Sequence, residues 1–247
     1  NGGTFVCYKC GKLDRLQTIA ALLDVTDRQA ISMLKGVSYS TGANPRRSTA
    51  NPRHSLVLPK GRGELKKAHV DYLRKRGFDA DELVRIWKIE GIGGFVPLQW
   101  RIFIPMFLND KMVSWTTRAI SPQAKLRYIS AGATQEIVNH KTLLYGEDLC
   151  SNTICVVEGP ISAWAIGPGA VATCGLGYTR PQLTRMAKYP RRLVCFDSEA
   201  AAQRRARQLC DALSVFPGTT ENIILDAKDP AESSPKEIKA LRAIIRA

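Results

Sequence analysis

Past residue 150, three short apolar runs each end in carboxylates. "TICVV" (153–157) is followed by Glu158-Gly159, "RLVCF" (192–196) by Asp197-Ser198-Glu199, and "NIIL" (222–225) by Asp226, with Asp229 close behind. One acid after one strand is most simply the cap of the next helix. Three such ends are different if the strands run parallel, because an open α/β sheet gathers what lies beyond its carboxyl edge. Carboxylates crowded there without a counter-ion repel and raise one another's pKa. A hard divalent cation, Mg²⁺ or Mn²⁺, relieves the repulsion by taking one or two carboxylates together with phosphate oxygens and water. Paired metals then stabilise the attacking and leaving oxygens of phosphoryl chemistry.

The elements around these acids predict the sheet. From 151 to 247 apolar strand runs alternate with helical patterns such as "ISAWAI", "RPQLTRMAK", "EAAAQRRARQLCDAL" and "PKEIKALRAII". That order defines an α/β unit with a mostly parallel sheet. Residues 64–150 read as a mixed α+β part. A helix in "ELKKAHVDYLRKRG" is stopped by Gly77, and a second runs from Asp79 to about Lys88. The runs "WRIFIPMFL" and "MVSWTTRAI" then form a hairpin around Asn109-Asp110. Residues 36–63, rich in Gly, Pro, Ser, Asn and Arg, read as a linker after an amino-terminal segment, 1–35, with helical patterns at 13–23 and 27–34.

Charge supplies a substrate class. The chain of 247 residues has 36 Lys and Arg against 22 Asp and Glu, a net of +14. Residues 46–76 alone hold ten bases and two acids. Such an excess suits a polyanion, with nucleic acid the commonest, and an affinity that weakens with salt. No apolar run approaches the roughly 20 residues of a membrane span. No signal-peptide pattern opens the sequence. The seven cysteines, several inside apolar runs, read as reduced thiols of a cytoplasmic protein. No P-loop is present, so a fused helicase is not expected.

Three stretches, "VVEGPISAW", "VCFDSEAAA" and "DAKDPAE", resemble the motifs of a Toprim domain, shared by topoisomerases, bacterial-type primases and some nucleases. The resemblance implies a catalytic and metal-binding set of Glu158, Asp197 and Glu199, with Asp226 and Asp229 as further metal ligands. It departs at Glu199, where Asp is usual, and at Ala231, where the primase form has a second Asp. Upstream, "RKRGFDADELVRIWKI", "RIFIPMFLNDKMVSWTTRAI", "KLRYISAG" and "HKTLLYG" are similar, in order and spacing, to the catalytic core of DnaG-type and phage primases. That family implies metal-dependent nucleotidyl transfer making short RNA primers. The implied partners are a single-stranded DNA template, ribonucleoside triphosphates and a replicative helicase. Arg76, Arg101, Arg118, Lys125, Arg127 and Lys141 match its basic positions and would hold template or nucleotide phosphates. A Toprim nuclease and a non-catalytic Toprim DNA-binding module use the same acids and stay open as alternatives.

Cys7-x-x-Cys10 resembles the second half of a zinc ribbon, a partial remnant ahead of the primase-like core. Structural Zn²⁺ needs four ligands, and two are visible nearby, with His54 across the linker.

Overall fold

A computed structural model describes residues 5–7, 11–13, 55–94, 97–175 and 177–246, which belong to two units, 1–51 and 52–247. In the first unit, β1 (Phe5–Cys7) pairs antiparallel with β2 (Gly11–Leu13), Cys7 opposite Gly11. Leu13 thus closes a strand instead of opening a helix. Cys10, the helical patterns over 14–23 and 27–34, and the expected linker up to His54 lie outside the described residues.

The second unit contains an antiparallel sheet and a parallel one. The antiparallel sheet has five strands in sequence order, β3 (Arg62–Gly63), β4 (Glu90–Ile92), β5 (Arg101–Leu108), β6 (Lys111–Ala119) and β7 (Tyr128–Ser130). The hairpin between β5 and β6 turns on Asn109 and Asp110, whose φ angles of 52° and 61° are those of a type I′ turn. Asn and Asp tolerate this left-handed backbone. The Asp148 carboxylate accepts both of their amides, at 3.2 and 2.7 Å. Helices α1 (Lys67–Lys75) and α2 (Ala80–Trp87) lie between β3 and β4 in the chain. Gly77 at φ +79° follows the end of α1, and Asp79 caps α2 by accepting from the amides of Asp81 and Glu82.

His69 fixes α1 to β4. Its Nδ1 accepts from the Lys66 amide at 3.1 Å, and its Nε2 lies 3.1 Å from the Ile92 carbonyl. The neutral ring protonated at Nε2 satisfies both, and burial holds its pKa below the usual histidine value. Gly91 is required beside it. A methyl there would stand 2.9 Å from the Glu64 carbonyl and 3.0 Å from the His69 ring. Gly91→Ala is expected to cost about 1–3 kcal/mol by overpacking, read as a lowered midpoint in thermal unfolding.

The parallel sheet orders its strands β11-β10-β8-β9, with β8 (Thr153–Val157), β9 (Ala170–Ala172), β10 (Arg191–Val194) and β11 (Thr219–Asn222). Every residue of β8 and β9 is buried, as expected of parallel strands covered on both faces. Helices α3 (Pro160–Ile166), α4 (Arg180–Met186), α5 (Ala200–Leu213) and α6 (Pro235–Arg246) connect or follow the strands. The expected strand "NIIL" is displaced. The ladder occupies 219–222, and only the Ile223 amide extends it, onto the Val194 carbonyl. Its start is set by buried Arg192, which donates to the Thr220 hydroxyl and to the carbonyls of Tyr189 and Pro217. As an edge strand, β11 is marked by this anchoring and not by an apolar run.

One core runs through both sheets, from Leu73, Ile102 and Met106 to Val157, Ile161 and Leu193. At its centre the Trp87 and Tyr145 rings stack, 5.2 Å apart at 21°, and Trp164 Nε1 donates to the Tyr145 hydroxyl at 2.7 Å. Tyr145 also pairs with Ala172 of β9. The "LLYG" stretch therefore joins α2 to the parallel sheet.

Candidate active site

The parallel register places the ends of β8 and β10 side by side, so Glu158 and Asp197 emerge at one edge. Gln203 of α5 holds the Asp197 turn. Its Nε2 donates to the carbonyls of Phe196 and Asp197 at 3.2 and 3.0 Å, and its Oε1 accepts from Asn222 of β11 at 3.0 Å. The loop after β11 is tied to the same place, because the Ser198 amide donates to the Lys228 carbonyl at 2.8 Å. Asp229 Oδ1 then accepts from the amides of Ala231 and Glu232 at 2.7 and 3.1 Å.

A cavity of about 510 Å³ opens at this edge. Glu158, Asp197, Asp229 and Glu232, with Lys228 among them, form its acidic side, and Arg76 just after α1, Arg127 just before β7, and Thr116, Arg118, Tyr128 and Ser130 of β6 and β7 face it. Arg118 is oriented by two tyrosines. Its Nε donates to the Tyr72 hydroxyl at 3.2 Å, and its guanidinium lies 4.8 Å from the centre of the Tyr128 ring. Burial pushes the Tyr128 hydroxyl up to about 12, so it stays a protonated wall residue at neutral pH.

The acids are not equivalent. Burial pushes the Asp197 carboxyl up to about 6, with the charges of Glu158, Asp229 and Glu199 adding to the shift and Lys228 opposing it. Glu158 pairs with Arg205 of α5 at 3.3 Å. Glu199 is exposed and pairs with Lys228 at 2.8 Å, and that hydrogen bond holds it below the usual carboxylate range. Glu199 and Asp226 do not line the cavity, and the Asp226 amide donates to Glu237.

Of the six basic residues singled out in the sequence, Arg76, Arg118 and Arg127 line the cavity. Arg101 is buried, with its guanidinium donating to the carbonyls of Leu126 and Arg127 at 2.6 and 3.4 Å. Lys125 is exposed and outside the lining. Lys141 donates to the Cys174 carbonyl at 3.2 Å, beyond the end of β9. Sequence reasoning did not single out Lys228, Gln203 or Arg205. Lys228 adjoins the "KDP" motif, whereas "QRRARQ" has the pattern of an ordinary solvated helix face.

Among the described residues, no three His, Cys, Asp or Glu side chains are grouped closely enough to hold a metal ion by themselves. The hard oxygens of Glu158 and Asp197, where burial and then the acidic neighbours disfavour the Asp197 charge, fit a divalent cation that draws its other ligands from phosphate and water.

An antiparallel sheet feeding a four-stranded parallel sheet, with acids at its carboxyl edge, is the fold of a DnaG-type or phage primase catalytic core. The Aquifex aeolicus primase, in its zinc-binding and RNA polymerase domains, matches with a TM-score of 0.62 at 15% identity, over 98% of this chain and 72% of that one. The DnaG catalytic core matches with a TM-score of 0.56 at 18% identity, over 72% of this chain and 73% of that one. The primase fragment of the bacteriophage T7 primase-helicase protein matches with a TM-score of 0.54 at 15% identity, over 98% and 90%. No protein-family model matches the sequence, and no curated protein does. At these identities the likeness is one of fold.

Proposed function

We propose that the chain is the catalytic core of a DNA-dependent RNA primase, joining ribonucleotides on a single-stranded DNA template. The observation that carries this is the shared cavity, with Glu158, Asp197 and Asp229 on one side and Arg76, Arg118 and Arg127 on the other. Glu158 and Asp197 would hold Mg²⁺ or Mn²⁺. When bound, such an ion neutralises triphosphate charge and lowers the pKa of the attacking 3′-hydroxyl. The arginines suit bidentate contacts to phosphate, and Arg118, pinned between Tyr72 and Tyr128, has its orientation set before the substrate arrives. Lys228 adds a point charge at the acidic side. By the same reading, the parallel-sheet unit, residues 151–247, is a Toprim domain. Cys7 and Cys10 are half of a zinc site, and the T7 neighbour, a fragment of a primase-helicase protein, points to a replicative helicase as partner.

The two ion pairs, Glu158 with Arg205 and Glu199 with Lys228, favour a second reading, a DNA-binding module without turnover. One assay separates the readings. Mixed single-stranded DNA is incubated with labelled ribonucleotides and Mg²⁺ or Mn²⁺. Short template-dependent RNA products are expected, and template binding should weaken as salt rises. Cleavage of the DNA would instead establish a nuclease. Binding without synthesis or cleavage in either metal would establish the module.

A further inference from the structure

Arg205 enters the acid cluster from α5, and its contacts are few. Its Nη2 meets Glu158 Oε1 at 3.3 Å, through one donor and not the two-pronged fork that a guanidinium offers a carboxylate. Its Nε is buried and has no hydrogen-bond partner among the described residues. The contrast with Arg192 is plain. That side chain, wholly buried, spends Nε and Nη1 on Thr220, Tyr189 and Pro217 and is fixed as part of the sheet. Glu158 lines the cavity while Arg205, which does not, meets it from outside the lining; with Arg205 31% exposed and Glu158 18%, the pair is open to water. Among the described residues Asp197 has no ion pair, while the acids at 158 and 199 each have a cation drawn from the protein itself.

We infer that Arg205 is a built-in counter-ion for Glu158, occupying that carboxylate until a divalent cation displaces it. This rests on the proposed metal role of Glu158. The displaced guanidinium is left beside the acidic side of the cavity, free to meet an anionic phosphate group. Cation binding at Glu158 and phosphate binding at Arg205 then favour each other, because each removes the other's competitor.

The test is isothermal titration of the whole chain with Mn²⁺ alone, without nucleotide or DNA, alongside thermal unfolding as a check of folding. Arg205→Gln removes the competing cation and is expected to bind Mn²⁺ about three- to fivefold more tightly than the unsubstituted chain, the range of a partly exposed ion pair. Arg205→Lys keeps the charge but loses the planar fork, and a smaller gain of about twofold is expected. Should the Gln variant fail to fold, the Lys variant decides by the same criterion. Glu158→Gln is expected to weaken Mn²⁺ binding sharply. Affinity unchanged or reduced in both Arg205 variants, with binding still lost on Glu158→Gln, overturns the counter-ion role and leaves the metal site standing. Unchanged binding on Glu158→Gln overturns the metal role of Glu158, and the counter-ion role with it.

Discussion

Asp197→Asn is expected to lower primer synthesis by about a thousandfold, the scale of losing one preorganised charge in a reaction centre, and at the same time to make the metal-free protein more stable at pH 8. The two effects share a cause. In the folded chain the Asp197 carboxyl titrates at about 6, above its ordinary value of 3.8, because burial and three acidic neighbours disfavour its charge. Between those two pH values the folded protein binds a proton that the unfolded chain has released. Stability therefore falls as pH rises through that window, and the full penalty is present above pH 6. Asn removes the titration while keeping the shape. Because Asp197 is only partly buried, solvent screening discounts the gain, and a rise of about 1–3 °C at pH 8 is expected, shrinking toward zero at pH 4. Thermal unfolding at the two pH values, in chelator, reads the stability. Synthesis retained in the Asn variant would remove Asp197 from the mechanism.

Trp87→Ala is expected to cause the largest loss of stability, about 3–5 kcal/mol and a melting point lower by about 10 °C. Trp87 is 4% exposed and belongs to the core cluster shared by the two sheets. It stacks on Tyr145, and its ring fills the space against Gly146, where a Cβ would stand 2.8 Å away. Truncation enlarges the adjoining cavity of about 390 Å³ and removes the stacking partner of the residue that ties β9 to α3 through Trp164. Trp164→Phe, which keeps most of the volume and loses one hydrogen bond, should cost about 1 kcal/mol. Chemical unfolding of both variants measures the difference. Equal losses would mean that the hydrogen bond, and not the stacked ring, holds the two sheets together.

Much of this architecture was legible from residue types because the responsible forces are local. Apolar runs gave β8 and β10, and carboxylates directly behind them gave Glu158 and Asp197, since position after a strand fixes position at a sheet edge. The Asn109-Asp110 turn and the glycine after α1 follow from backbone preference alone. What depends on distant partners was not legible. Edge strand β11 has no apolar and no buried residue and is placed by Arg192 and the strand beside it. A basic residue in a family-like position says nothing of where its guanidinium points, and Arg101 is turned onto the carbonyls of the segment leading into β7 while Arg118 faces the cavity. Gln203 and Arg205 look like any polar helix residues until the helix is docked on the strand ends.

The outer side of β11 has a consequence for the molecule in a crowded solution. Among the described strands it bonds to β10 alone, which leaves a row of amides and carbonyls able to accept a foreign strand. The strand is only four residues long and carries Glu221, paired with Arg191 at 3.6 Å, on its polar surface. Shortness and charge together discourage end-on growth into fibrils. The more apolar residues that follow, Ile224 and Leu225, lie beyond the last ladder bond, which the Ile223 amide makes, and offer no ready template for such growth.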